Sequence, residues 1–372
     1  KGYLPIEVSE NEIPMWIADM DFACPECIVR AIKERADKEI FGYCSYKQEY
    51  YDALTWWFDK RFGMKIHTDL VSMMPTVVSA INVAIRAFSN PGDKVIIQQP
   101  VYDPFAELIK KTGRVMVNNG LICNDGLYEM DFPLLEEQAA DPDAKIMILC
   151  SPHNPVGRVF TRKELEELFE FAARHDIVVV ADEIHSDLIL EGEHIPAITL
   201  NEAARQRVIL HHSASKTYNI PGLPVAFAII PNEKLRHKYE EVAATMHAPF
   251  DTLSFVALEA AFTKGEEWRQ ELLEYLRENK KWLDERISRI PGLSICHSEG
   301  TYLGWIDARE TGLSDPAGFF MKEAGVKFND GESFSAPGFI RVNFACPRAY
   351  LEEAFDKVEK ALDNWKKQEK VY

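Results

Sequence analysis

Residues 145–181 read as a strand, a helix and a second strand. The apolar run AKIMILC is followed by the helical pattern RKELEELFEFAARHD, which begins after a capping box of Thr161 and Glu164, and the apolar run IVVVA comes next. A helix that connects two strands of one sheet in this way makes them parallel. The order therefore predicts an α/β fold with a mostly parallel sheet that helices cover on both faces.

Five strand-like runs end in residues that could face one site. The runs are DLVSMM, DKVIIQ, AKIMILC, IVVVA and RVILHH, in chain order. They lead into a helix start at Val77, Tyr102, Asn154, Asp182 and Lys216. Open α/β sheets bind ligands at the carboxyl ends of their strands. We therefore expect a binding site that offers a helix amino end, a tyrosine, an amide, an acid and a lysine.

The stretch HHSASKTYNIPGL, residues 211–223, places the lysine at that edge. The small polar residues Ser213 and Ser215 turn the backbone after the strand, so that Lys216 leaves its carboxyl end. A loop lysine taken alone is more often a solvated side chain, because lysines are mostly exposed. The residues at the other strand ends favour a functional lysine instead.

These residue types fit pyridoxal phosphate. A lysine amine forms a Schiff base with the aldehyde of this cofactor, and an aspartate keeps its pyridine nitrogen protonated. An aromatic ring covers the cofactor face, an amide hydrogen-bonds the phenolic oxygen, and a helix amino end with serine hydroxyls binds the phosphate. The sequence thus predicts a pyridoxal-phosphate site centred on Lys216 and Asp182.

The phrase SASKTYN followed by IPGL resembles the lysine signature of the class I/II aminotransferase family, fold type I of the pyridoxal-phosphate enzymes. Four further phrases, MWIADMDF, SPHNPVGR, DEIHSDL and EGTYLGWID, resemble its carbon–sulfur β-lyase branch, that is cystalysin and the MalY-type cystathionine β-lyases. The resemblance covers residues 14–362, nearly the whole chain.

The resemblance implies an aspartate-aminotransferase-like fold with two domains. The large one, residues 41–254, holds a mostly parallel sheet of the seven-stranded type and binds the cofactor. The smaller α+β domain comprises residues 1–40, with an amino-terminal arm, and residues 255–372. The WIADM phrase of the arm is expected to close over the site.

The resemblance also assigns roles to individual residues. It makes Lys216, Asp182 and Tyr102 catalytic, although a tyrosine between two prolines is as often a core residue. The implied cofactor-binding set is Lys216, Asp182, Asn154, Tyr102, Val77, Val78, Ser213, Ser215, His185 and Tyr43. The implied substrate-binding residues are Arg341, for the α-carboxylate, and Asn154.

Several of these assignments have ordinary structural alternatives. His185 takes the place of a tyrosine that many aminotransferases set near the phenolic oxygen, but it could be a buried structural histidine. Tyr43 would reach the cofactor phosphate of a neighbouring subunit in a homodimer, or simply pack in a loop. Arg341 could equally pair with a local acid.

One departure from the aminotransferase signature bears on the reaction. Eight residues after the lysine, that signature has an arginine for the phosphate, whereas this chain has Pro224. The lyase branch commonly lacks this arginine too. We therefore expect α,β-elimination of cysteine- or cystathionine-type amino acids to a thiol, a 2-oxo acid and ammonia. An aminotransferase built from the same parts is the alternative, and a regulatory or partner-binding protein on this fold is a minor one.

Composition limits the partners and the compartment. The formal net charge is -17 and the pI is near 5.1, which argues against nucleic acid or an anionic membrane as a partner. No apolar run approaches the ~20 residues that span a bilayer. An odd number of cysteines, 7, favours a reducing cytoplasm over a disulfide framework. The histidines and cysteines have no spacing typical of a metal site.

Overall fold

The structure is a computed structural model that describes residues 12–44, 47–246 and 250–369, so the first part of the predicted arm lies outside the described residues. The strands are β1 (Ile13–Pro14), β2 (Val71–Met74), β3 (Lys94–Ile97), β4 (Val115–Asn118), β5 (Ile122–Asn124), β6 (Leu127–Glu129), β7 (Ala144–Cys150), β8 (Val178–Asp182), β9 (Val208–His212), β10 (Ala226–Ile229), β11 (Ser294–Ile295), β12 (Leu303–Asp307), β13 (Val326–Lys327), β14 (Asn329–Asp330) and β15 (Phe339–Asn343). The α-helices are α1 (Glu26–Ala36), α2 (Gln48–Phe62), α3 (Val77–Phe88), α4 (Pro104–Lys111), α5 (Phe132–Ala139), α6 (Arg162–Arg174), α7 (Glu202–Arg207), α8 (Glu233–Thr245), α9 (Thr252–Lys264), α10 (Glu266–Ile287), α11 (Pro316–Phe319) and α12 (Arg348–Glu369).

The central sheet has seven strands in the order β2-β10-β9-β8-β7-β3-β4. Strand β10 runs antiparallel to β2 and β9, and the other neighbours are parallel. Strands β7, β8 and β9 are buried along nearly their whole length, as expected for strands that helices cover on both faces. The predicted α/β fold with a mostly parallel, seven-stranded sheet is confirmed.

Apolar side chains pack on both faces of this sheet. Helices α1, α2, α6 and α9 contribute to the cluster on one face, and α3, α4 and α8 contribute to the cluster on the other. Helix α2 ends at Gly63, whose left-handed φ of 62° favours glycine. The predicted capping box opens α6, because Thr161 accepts from the Glu164 backbone and Glu164 accepts from the Thr161 backbone.

A smaller antiparallel sheet, in the order β11-β12-β15-β14, packs with α10 and α12 around a separate apolar cluster. Helix α12 contributes the regularly spaced residues Leu351, Phe355, Val358 and Leu362. The arm strand β1 pairs in parallel with β13. The arm therefore passes beside the smaller sheet, where the Asn343 N–H donates to the Met15 carbonyl at 2.8 Å.

The division at residues 40 and 254 stays a prediction. Helix α1, which lies outside the predicted large domain, and helix α9, which crosses its predicted end at residue 254, share an apolar cluster with α2 and the central sheet. An apolar cluster records packing and does not establish an independent folding unit. Within the described residues, every helix is too short or too polar to cross a membrane.

Candidate active site

Lys216 lies in the turn after β9 and lines a cavity of about 440 Å³. The turn is stabilised locally, since the Ser215 backbone N–H donates to the Ser213 hydroxyl at 3.1 Å. The Nζ of Lys216 donates to the backbone carbonyl of Ala18 at 2.6 Å. Burial, followed by the cation of Arg341, lowers the pKa of Lys216 to about 8. A useful fraction of this amine is therefore neutral near pH 7.

The lowered pKa of Lys216 predicts how cofactor uptake depends on pH. An amine attacks an aldehyde only when it is neutral, and a lysine of ordinary pKa would stay mostly protonated up to pH 10. We expect the rate of pyridoxal-phosphate uptake by the cofactor-free protein to rise with pH and to level off above about pH 8. Stopped-flow absorbance measures this rate, with N-α-acetyl-lysine as the control whose rate continues to rise. A rate that also rises up to pH 10 would contradict the assignment.

Asp182 ends β8 and lines the same cavity as Lys216. Its carboxylate is 5% exposed and accepts from the Ile184 backbone N–H at 3.1 Å. Burial raises the pKa of Asp182 to about 6, against the opposing effect of that hydrogen bond. The charges of His212 and Lys216 lower its pKa from a distance, but among the described residues neither forms an ion pair with it. The site thus holds a buried acid that lacks a direct cationic partner.

Arg341 extends from β15 and meets the loop after β7 inside the cavity. Its Nη1 donates to Asn154 Oδ1 at 3.0 Å, and its Nη2 donates to the Trp16 carbonyl at 2.7 Å. Burial lowers the pKa of Arg341 to about 10, so it stays a cation at neutral pH. Its Nε is buried with no hydrogen-bond partner among the described residues. A carboxylate is the acceptor to which such an unpaired guanidinium N–H donates best. The alternative that the sequence left open was an ion pair between Arg341 and a neighbouring acid. Among the described residues, the hydrogen bonds of Arg341 go to Asn154 and Trp16 instead.

The loop that carries Asn154 is tied to the smaller sheet. Gly157 has a φ of 75°, and a Cβ there would collide with the Ser298 side chain. The next residue, Arg158, is 3% exposed and donates to Glu299 Oε2 at 2.9 Å. This packing holds Asn154 at the junction between the two sheets.

Tyr102 and His185 line the same cavity as Lys216 and Asp182. Burial, followed by the charge of Asp182, raises the pKa of Tyr102. Burial, followed by the cations of Lys216 and Arg341, lowers the pKa of His185 to about 3, so its imidazole is neutral. The Nδ1 of His185 is buried without a hydrogen-bond partner among the described residues.

The amino end of α3 forms another wall, together with Ser213 and Ser215. Thr76 caps this helix by accepting from the Ser79 N–H at 3.1 Å, so the backbone amides of Val77 and Val78 lie in its first turn. Thr76 also lines the cavity, at the strand end from which the sequence predicted residues that could face the site. The structure therefore brings together every predicted site residue except one.

That exception is Tyr43, which does not line the cavity of its own chain. Its side chain is fully exposed, beside the exposed residues Ile40 and Phe41. The proposed reach of Tyr43 into a second subunit stays a prediction, and Tyr46 of the same phrase lies outside the described residues.

Several other cavity residues were not singled out one by one from the sequence, among them Trp16, Ile17, Ala18 and Asn329. The first three belong to the arm that was expected to close over the site. Nothing in the sequence around Asn329 indicates a site, because only the pairing of β14 with β15 brings it there.

A buried charge cluster lies behind the lysine turn and was also not predicted. Asp187 is fully buried and accepts from Trp57 Nε1 at 3.1 Å and from Arg61 Nε at 3.2 Å. His212 Nε2 and Thr217 Oγ lie 3.5 Å from its carboxylate. Burial alone would raise the pKa of Asp187, but His212 and the cations of Arg61 and Arg269 offset burial and hold the pKa below its usual range. The cluster ties the segments on both sides of Lys216 to helix α2.

Replacing Asp187 by alanine is expected to destabilise the fold by about 3–5 kcal/mol, the usual cost of leaving the partner of a buried ion pair uncompensated. Urea unfolding followed by circular dichroism measures the change. Asp176→Asn is the matched control, since Asp176 pairs with Arg207 while its side chain is 93% exposed, and it should cost under about 1 kcal/mol. Equal effects of the two substitutions would show that burial does not strengthen the Asp187 contacts.

Comparisons with known proteins agree with this geometry. Residues 10–358 match the family model described as aminotransferase class I and II. The chain is 37% identical to cystathionine beta-lyase PatB of Bacillus subtilis over 95% of its length and 93% of the relative, and 33% identical to protein MalY of Escherichia coli over 92% and 89%. Among solved structures, cystalysin from Treponema denticola, which contains pyridoxal 5'-phosphate, superposes with a TM-score of 0.93 at 33% identity over 96% of this chain and 93% of its own.

Proposed function

Because the chain belongs to the class I and II aminotransferase family, we propose that it is a pyridoxal-phosphate-dependent carbon–sulfur β-lyase. It would act on cysteine- or cystathionine-type amino acids and yield a thiol, a 2-oxo acid and ammonia. The names of the relatives above support this reaction. The observation that carries it is the placement of Lys216, Asp182 and Arg341 around one buried cavity.

The residues fit this cofactor on the evidence of their own chemistry. Asp182 is an acid whose pKa is raised by burial, and a protonated pyridine nitrogen beside it would stabilise its ionised form. Lys216 offers an amine of lowered pKa to an aldehyde. The first-turn amides of Val77 and Val78, with Ser213 and Ser215, suit a phosphate dianion in a site where Pro224 replaces an arginine.

When bound, pyridoxal phosphate supplies an aldehyde that captures the substrate amine and a ring that stabilises negative charge at the α-carbon. Lys216 then removes the α-proton through Nζ, for which its lowered pKa is suited. Arg341 and Asn154 hold the α-carboxylate and so orient the α-carbon toward that amine. Asp182 keeps the ring nitrogen protonated.

The remaining residues position and shield the reacting atoms. Tyr102, which lines the cavity, would cover the ring of the bound cofactor, and the neutral imidazole of His185 would add no charge there. The arm residues Trp16, Ile17 and Ala18 exclude water from the α-carbon side. The Cβ–S bond breaks with its electron pair on sulfur, and water converts the unsaturated product to the 2-oxo acid and ammonia.

The experiment that tests this function compares two reactions in the same holoenzyme. A lyase releases pyruvate together with hydrogen sulfide from cysteine, or with a thiol from a cysteine thioether, without any acceptor. An aminotransferase, the alternative, needs an added 2-oxo acid and leaves the Cβ–S bond intact. Product formation that depends strictly on the acceptor would overturn the lyase proposal. No turnover with intact cofactor binding would favour the minor alternative, a regulatory protein.

We propose that the protein is a homodimer whose active sites are shared between the subunits. We also propose that it works in the cytoplasm. Support for the dimer comes from the exposed apolar residues Ile40, Phe41 and Tyr43, which are 71%, 64% and 109% exposed in one chain. The odd number of cysteines, 7, supports a reducing compartment. Sedimentation analysis of Phe41→Glu against the unchanged protein tests the dimer, because a charge in an apolar interface should dissociate it.

A further inference from the structure

The arm segment 16–22 reaches the active-site cavity, and side chains hold most of it there. Residues 16–18 line the cavity, and residues 19–22 precede α1. Among the described residues, one hydrogen bond between backbone groups holds this segment, from the Asp21 N–H to the Ala345 carbonyl at 2.9 Å. The position of the arm at the cavity therefore depends on the side chains that contact it.

Asn219 makes three hydrogen bonds to the arm. Its Nδ2 donates to the Phe22 carbonyl at 2.7 Å and to the Met20 carbonyl at 3.0 Å. Its Oδ1 accepts from the Met20 N–H at 2.9 Å. The carboxamide thus pairs with both backbone groups of Met20, as a neighbouring strand would. This pairing needs two donor hydrogens and an acceptor on one short side chain, which asparagine supplies and aspartate does not.

Asn219 belongs to the same backbone turn as Lys216, which lies three residues earlier. The Ile220 N–H donates to the Ser215 carbonyl at 3.0 Å, and this bond spans both side chains. Asn219 has a left-handed φ of 55°, a conformation that asparagine tolerates. Its side chain is half-buried and does not line the cavity that the described residues form. Asn219 therefore ties the arm to the lysine turn from outside the reacting groups.

The rest of the segment is held from the other side of the cavity. Side chains in or next to the smaller sheet donate to the carbonyls of residues 16–19, and they are Tyr302, Arg341 and Asn343. Lys216 Nζ also donates to the Ala18 carbonyl at 2.6 Å, but this amine is the group that reacts with the aldehyde. The Asn219 hydrogen bonds do not depend on that amine.

We propose that Asn219 is a positioning residue that fastens the arm to the lysine turn and so keeps the arm closed over a bound amino acid. The proposal rests on the proposed lyase function. Without these hydrogen bonds the arm lies at the cavity for a smaller fraction of the time, and the apparent affinity for substrate falls by that fraction. Lys216 and Asp182 keep their places, so the chemical step in the closed enzyme proceeds as before.

The kinetic test uses S-ethylcysteine as the substrate of the holoenzyme. Asn219→Gly permits the left-handed φ but removes the carboxamide, and it should raise KM at least about tenfold while kcat changes less than about threefold. Asn219→Asp keeps the shape but sets a negative charge against two carbonyls, so its KM should rise further.

The matched control is Asp125→Gly, because Asp125 also has a left-handed φ, 48°, in an exposed turn. It should leave KM unchanged. A wild-type KM in both folded Asn219 variants would show that asparagine supplies only the backbone conformation, and would overturn the proposal. An equal loss of kcat and of bound-cofactor absorbance would also overturn it, because Asn219 would then hold the lysine turn and not the arm.

Hydrogen–deuterium exchange of the holoenzyme gives a second readout that does not depend on turnover. In Asn219→Gly the peptide covering residues 15–22 should exchange at least about tenfold faster than in the wild type, while peptides from α6 stay unchanged. Unprotected exchange of the arm peptide in the wild type would overturn the proposal even if neither variant folds. Failure of the wild type to release a thiol would instead overturn the lyase function and leave the exchange result standing.

Discussion

Replacing Lys216 by alanine is expected to lower thiol release by at least about 10²- to 10⁴-fold, the range typical of losing a general acid–base group. The substitution removes the amine of lowered pKa from the cavity that Arg341 also lines. It leaves Arg341 and Asn154 in place to hold the carboxylate, so the loss should appear in kcat. Steady-state assays of thiol and pyruvate measure the effect.

Lys216→Arg is the control for the lysine prediction, because it keeps a positive charge but has no neutral amine at any accessible pH. We expect it to be as inactive as the alanine variant, and both should lose the absorbance of covalently bound cofactor. Thermal unfolding should change little, since Nζ makes only one hydrogen bond to the arm among the described residues. Near-normal turnover in either variant would exclude Lys216 as the base.

Replacing Asp182 by asparagine is expected to reduce turnover by roughly 10²- to 10³-fold while covalent cofactor binding persists. A neutral amide cannot stabilise a protonated ring nitrogen, so the cofactor becomes a weaker electron acceptor. The shape of the side chain and its acceptance from the Ile184 N–H are retained. Absorbance of the bound cofactor and thiol release are the two measurements, and normal release would contradict the role.

Stability separates this catalytic effect from a structural one. Burial raises the pKa of Asp182 to about 6, above its ordinary value of 3.8. Between those two values the folded cofactor-free protein binds a proton that the unfolded chain releases, so the folded state loses stability as the pH rises through that range. Asparagine cannot ionise, so the Asp182→Asn protein does not lose stability over this pH range. The cofactor-free Asp182→Asn protein should therefore be at least as stable as the wild type at pH 7, by urea unfolding.

Local patterns in the sequence were sufficient for much of the fold. Continuous apolar runs predicted β7, β8 and β9, and the capping box of Thr161 and Glu164 predicted the start of α6. The position of Lys216 and Asp182 at strand ends then placed them at one edge of the sheet. This inference needs only that parallel strands finish at the same edge. The register of β8 between β7 and β9 agrees with it.

Other features depend on contacts between distant parts of the chain. Asn329 faces the cavity because β14 pairs with β15, and Asp187 meets Trp57 across 130 residues of sequence. No periodicity within a segment records such a pairing. The same holds for the arm, whose Ala18 carbonyl is contacted by Lys216 and Tyr302 from two different parts of the fold.

The amino-acid sequence by itself determined the strand-and-helix order, the chemical types at the strand ends and hence the class of cofactor. Those properties depend on hydrogen-bonding periods and side-chain chemistry, which are local to each segment. Only the tertiary structure decided which charged side chains are buried around the cavity and which residues of the arm line it. Burial and long-range packing set these properties, because a group's pKa and its partners depend on everything that surrounds it in space.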